Sequence, residues 1–278
     1  MPTFETPEAL TATVELEIGR VRIVAAKRTD TVVEVTPSDP GDKLDVQAAA
    51  DTKVTCAAGK LLVKGPKKRS LFGKVGAVDV TVELPAGSAL TGSTGLGELI
   101  GEGLFGNCRL TTAAGDIQLE EAADVRLKTS HGDILVARTT GEAEIHGSGR
   151  VQVGRISGAA TVRNLNGETV IGEIGGELRV NSSNGPIRVG QAESSVTAKT
   201  ASGAIRLEHV VRGRITLDSS AGGLEIGIAE GTAAWLDVRS TAGRVRNELG
   251  TTDGPGQSEE TVEVRGRTSV GDIVIRRA

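Results

Sequence analysis

Residues 178–207 read LRVNSSNGPIRVGQAESSVTAKTASGAIRL. Apolar and polar residues alternate through Leu178-Arg179-Val180-Asn181. A small polar run then reaches Gly185, and alternation resumes at Ile187-Arg188-Val189. The order repeats 18 residues later, with Gly203 in place of Gly185 and Ile205-Arg206-Leu207 after it. A period of two marks strands with one buried face. A glycine between two strands supplies the positive φ of a sharp corner.

Outward from this stretch the corner glycines form a series: Gly97, Gly115, Gly132, Gly149, Gly167, Gly185, Gly203, Gly222, Gly243 and Gly271. Their successive spacings are 18, 17, 17, 18, 18, 18, 19, 21 and 28. A near-constant period in this range signals a repeat architecture. Two residues after each glycine stand Leu99, Ile117, Ile134, Val151, Thr169, Ile187, Ile205, Leu224, Val245 and Ile273, all but Thr169 aliphatic. Four residues after, the aliphatic column is broken by Gly101 and Asn247. Three residues before come Thr94, Thr112, Thr129, Asn164, Ser182, Thr200, Ser219, Ser240 and Thr268. Such side chains bond neighbouring backbone at corners, and stacked they make a polar ladder. A repeat of this kind buries its apolar face only by stacking on its neighbours. The pattern predicts an all-β fold: a single-stranded parallel β-solenoid with coils of about 18 residues. An antiparallel sandwich of hairpins does not predict like-for-like columns.

Residues 1–85 hold six of the eight prolines and a less regular pattern. They are read as irregular N-terminal coils forming a cap, because a bare end exposes strand edges. Residues 86–278 are the regular solenoid, with a Gly/Pro/Ser-rich loop inserted at 247–261. Val270-Gly271-Asp272-Ile273-Val274-Ile275 reads as a final strand with a free edge. Self-association through this C-terminal edge strand is therefore one expectation.

Composition limits the chemistry. The chain has 278 residues, 38 of them Gly, with no Tyr, one Trp and three Phe. The core must be built from Val, Ile, Leu and Ala. Few aromatics and a net charge of −4 leave no footprint for nucleic acid. No stretch approaches the roughly 20 apolar residues of a spanning helix. The N-terminus lacks the basic and apolar regions of a signal peptide, so a cytoplasmic location is expected. Cys56 and Cys108 read as two buried thiols.

His131, His146 and His209 occur in no metal-ligand spacing, and no metal or other cofactor is expected. Asp116 and Asp133 each follow a corner glycine on neighbouring rungs, with Arg150 one rung further. Paired carboxylates can serve sugar hydrolysis or calcium binding. Asp at a corner more commonly bonds local backbone. Asn181-Ser182-Ser183 matches a glycosylation sequon but falls within the ladder. One basic run stands out: Lys64, Lys67, Lys68, Arg69 and Lys74, with Leu71 and Phe72 inside it. Such a loop suits an anionic membrane surface or an acidic partner.

Several segments resemble a known family. They are ETPEALTATVELEIGRVRIVA (5–25), VDVTVELPAGSAL (78–90) with its Val82-to-Ser88 core, and the units TAAGDIQL, NSSNGPIRV and TASGAIRL. Together they are similar to the bacterial "putative adhesin" family of β-strand repeat proteins, a domain of unknown function. The resemblance implies a right-handed β-solenoid and no established activity. The expected function is a non-enzymatic, adhesin-like scaffold or protein-interaction module with an unidentified protein partner. The alternatives are a self-assembling filament former and a carbohydrate-acting β-helix enzyme.

Overall fold

The computed structural model describes residues 1–67, 75–250 and 260–278. The chain divides into two compact units, Met1–Thr140 and Gly141–Ala278. Both are built almost entirely of strands.

In the first unit one sheet runs in the order Thr3–Glu5, Asp30–Pro37, Val78–Pro85, Val21–Ala26, Leu99–Phe105, Ile117–Ala122, Ile134–Thr139. The other runs Lys53–Ala57, Lys60–Lys64, Thr11–Ile18, Ala89–Leu96, Cys108–Ala114, Val125–His131. Each regular coil gives one strand to each sheet. Val21, Leu99, Ile117 and Ile134 stand in parallel register on successive coils. Each is no more than 1% exposed. The column read from the sequence is thus a physical stack, held by burial of aliphatic surface at about 25 cal/mol per Å².

Gly19 is a true corner of this stack. Its carbonyl lies directly under Gly97, and its N–H bonds the Leu96 carbonyl at 2.9 Å. The coil 11–26 therefore pairs with the coil 89–105, and the intervening chain is an excursion. That excursion brings the antiparallel pairings, Thr3–Glu5 and Val78–Pro85 with Asp30–Pro37, and Lys53–Ala57 with Lys60–Lys64. It also brings a helix, Lys43–Asp51, absent from the sequence expectation. Asp42 caps it by accepting the Leu44 N–H. Asp45 ties it down by accepting the N–H groups of Asp39 and Ala77 at 3.0 and 2.7 Å.

In the second unit one sheet runs Val151–Ile156, Thr169–Ile174, Ile187–Ala192, Ile205–Val210, Leu224–Ile228, Ile273–Arg277, Val245–Asn247. The other runs Ala143–Gly147, Ala160–Asn164, Leu178–Asn184, Val196–Ser202, Gly213–Ala221, Glu260–Val270, Thr232–Ala242. All these pairings are parallel. Thr169, the polar member of its column, is met here by the ladder residue Asn164. Buried Thr169 accepts a bond from Asn164 Nδ2 at 3.2 Å, and the same amide donates to the Gly149 carbonyl at 2.9 Å.

The last coil is out of sequence order. The strands Glu260–Val270 and Ile273–Arg277 lie between the coil 213–228 and the coil 232–247. The C-terminal strand is paired on both sides, so the expected free edge at Val270–Ile275 does not exist. Among the described residues the edge belongs to Thr232–Ala242 and Val245–Asn247 instead. Residue identity matches the exchange: the inner coil has Ile273 and Ile275 where the outer coil has Val245 and Asn247. Val262, Val264, Ile273 and Ile275 are at most 2% exposed. Leu236 and Val238 are only half-buried, and Val245 and Asn247 are exposed. The more apolar coil holds the inner seat, where its surface counts for more.

Candidate functional site

The polar ladder faces inward and serves the corners. Thr112 donates to the Gly97 carbonyl at 3.3 Å, Thr129 to Gly115 at 3.1 Å, Ser219 to Gly203 at 2.9 Å and Thr268 to Gly222 at 2.8 Å. Each hydroxyl thus reaches the corner glycine of the coil beneath. These residues are nearly buried, so the ladder satisfies backbone carbonyls that the close stacking shields from water.

Most corner glycines of the series have positive φ, among them Gly115 at 138°. Gly243 does not, yet a side chain there would run into the Gly271 carbonyl oxygen. Close stacking, rather than φ, requires glycine at that corner.

The outward face of the second unit carries a concavity. It is a groove of about 630 Å³ lined by residues from Asn181 to Ser269. Strand register builds it. Asn181, Lys199, Asp218, Arg267 and Arg239 form one outward row across five strands. Ala201, Ser220, Ser269 and Thr241 line it at the corner side. Lys199 Nζ meets Asp218 at 3.0 Å, and Arg267 donates to Asp237 at 2.9 Å. Arg239 makes no ion pair among the described residues and is exposed. The groove is therefore rich in hydroxyls, with most of its charge paired. Further along the face, exposed Trp235 stands opposite Glu263. Arg214 and Arg265 hold the Glu263 carboxyl below the usual range, chiefly through the Arg214 hydrogen bond.

The residues singled out by sequence are dispersed. Lys64 and Lys67 both approach Glu15, at 3.4 and 3.9 Å, so a carboxylate from a neighbouring strand stands beside the basic run. Lys68, Arg69, Leu71, Phe72 and Lys74 lie outside the described residues. Asp116 accepts the backbone N–H of Asp133 at 2.8 Å, and Asp272 does the same for Arg244. The carboxylate after a corner glycine is thus corner chemistry. His131 belongs to the first unit, His146 and His209 to the second. Among the described residues no three His, Cys, Asp or Glu side chains converge as a metal site would require. Cys108 is buried, and burial pushes its thiol up to about 12. Cys56 is only half-buried, contrary to the expectation of two buried thiols. The ladder residues Ser182, Thr200, Ser219 and Thr268 reach the floor of the groove, but the rest of the lining is outward residues, which the repeat does not constrain, so the columns did not mark it.

Fold and face together define a β-solenoid repeat module with a polar outer surface. The chain belongs to the Toastrack DUF4097 family, which matches residues 11–277. Solved structures with a similar course include a "putative adhesin" from Parabacteroides distasonis, at 14% identity and TM-score 0.41, covering 95% of this chain and 96% of that one. Another "putative adhesin", from Parabacteroides merdae, has 9% identity and TM-score 0.39, covering 100% and 95%. A third, from Bacteroides fragilis, has 12% identity and TM-score 0.35, covering 99% and 95%. The chain has no match among curated proteins. No helix among the described residues is long and apolar enough to cross a membrane.

Proposed function

We propose that this protein is a non-enzymatic, adhesin-like scaffold, acting in the cytoplasm, that binds a polypeptide partner along the outward face of its second unit. The carrying observation is the groove. Its hydroxyls at Ser220, Ser269 and Thr241 stand beside cations already bridged to Asp218 and Asp237. A surface with many hydrogen-bonding groups and balanced charge suits the backbone and polar side chains of an extended segment. It offers no general acid, base or nucleophile poised on another group. Steric closure tests the reading. Ser220→Trp and Ser269→Trp fill the groove from the exposed corner, and each abolishes capture of a partner that the wild-type protein retains from native lysate. Equal capture by wild type and both folded variants refutes the groove as the binding face.

A further inference from the structure

The first unit guards its outermost strands. Thr3–Glu5 is only three residues long, and Lys53–Ala57 five. Short edges are a common defence against unwanted pairing. Of the two strands that edge the second unit, Val245–Asn247 is also short, but the other has no such defence. Thr232–Ala242 is eleven residues long, has neighbours on one side only among the described residues, and contains no Pro or Lys. Its core-facing Leu236 and Val238 stay half-buried where equivalent residues of inner coils are closed off.

We propose that Thr232–Ala242 pairs antiparallel with the same strand of a second copy of this chain, with Val238 opposite Val238. Side-chain parity leaves few registers, since core-facing residues must oppose core-facing ones. A register centred on Leu236 sets Asp237 against Trp235 and leaves Arg239 opposite Ala233. One centred on Asp237 places two carboxylates face to face. The register centred on Val238 sets Asp237 opposite Arg239 of the second copy, twice by symmetry. It gives Arg239 the partner it lacks among the described residues. Asp237 uses one oxygen for Arg267, and a carboxylate has capacity for a second donor. Val238 then covers Val238 across the two-fold axis. The contact is isologous and closed, so it yields a dimer and not a fibre.

Sedimentation velocity over about 1 to 100 μM shows a reversible monomer–dimer equilibrium. Arg239→Asp puts like charges opposite each other twice and weakens it by roughly 10-fold or more. Register is read by oxidative cross-linking in a Cys56→Ser background. Val238→Cys gives a disulfide-linked dimer, whereas Leu236→Cys, which faces Ser240 of the second copy, does not. A monomer at every concentration overturns the proposal. So does a dimer indifferent to Arg239→Asp that Val238→Cys fails to trap.

Discussion

The hydroxyl of Thr268 donates to the carbonyl oxygen of Gly222 at 2.8 Å, although 46 residues of chain separate them. Ser240, which precedes Thr268 in sequence, donates instead to Gly271 at 2.8 Å. The ladder thus follows stacking order rather than chain order. Thr268→Val keeps the shape, removes the donor and leaves the carbonyl without that bond. A stability loss of about 1 kcal/mol is expected by urea denaturation. The same change at exposed Thr111 leaves stability within about 0.5 kcal/mol of wild type.

Gly115→Ala is expected to cost more. Its φ of 138° disfavours any side chain, and a methyl group would meet the Gly97 carbonyl. Backbone strain alone amounts to about 1–3 kcal/mol. Gly231→Ala is the comparison, with φ of 77° and open space around it. A cost for Gly115→Ala no larger than for Gly231→Ala would show that coils are not stacked this closely.

Much of this was legible in advance. Columns beginning at Leu99 and Thr94 foretold which residues stack, because a parallel solenoid repeats one environment on every coil. The excursion after Ala26 was not legible as such, since Gly19 and Gly97 become neighbours only in space. The exchange of the last two coils left one trace. Asn247 occupies a column position that is aliphatic on most coils, and a polar residue there marks a coil with no neighbour above it among the described residues. The groove left only its ladder residues, Ser182, Thr200, Ser219 and Thr268, in the columns, since its outward residues at period two carry no packing constraint.

Strand order makes a prediction for amide exchange. In Ile273–Arg277 the first three residues have paired neighbours on both sides, and the Ala278 N–H that follows the strand bonds the Ile228 carbonyl at 3.0 Å. Val245–Asn247 has one neighbour. Hydrogen–deuterium exchange is expected to be slower in Ile273–Arg277 than in Val245–Asn247, the reverse of a fraying end.

The two thiols should separate kinetically. Cys108 is 3% exposed, and its thiol is raised to about 12, so little thiolate exists at pH 8. A disulfide reagent at that pH is expected to titrate Cys56 in the native protein and Cys108 only after unfolding. Rapid reaction of two thiols in native Cys56-intact protein would contradict the burial.

Acid sensitivity follows from three carboxylates. Asp30 is held low by Arg28, Glu102 by Arg22, and Glu263 by Arg214, in each case mainly through a hydrogen bond. Lowered folded-state values mean that the unfolded chain binds protons first. Their contribution is therefore complete above the ordinary values of 3.8 and 4.5 and fades as pH falls below them. All three lie at the surface, so the effect is small. Urea midpoints measured between about pH 6 and pH 3 should decline less steeply for Glu102→Gln and Glu263→Gln than for wild type.

The exchanged coils also set a problem of timing. During synthesis residues 232–247 leave the ribosome before residues 260–277, yet their final seat is on top of the later strands. Until those strands arrive, the edge of Gly213–Ala221 is open to the earlier coil. Whatever pairing forms there must be undone, or never made, before the inner seat is filled. Val245 and Asn247 make the early coil a weak occupant, and Ile273 and Ile275 at the paired positions make the late one a strong competitor. The finished arrangement thus depends on a contest between two coils for one berth, decided by which has more aliphatic surface to hide.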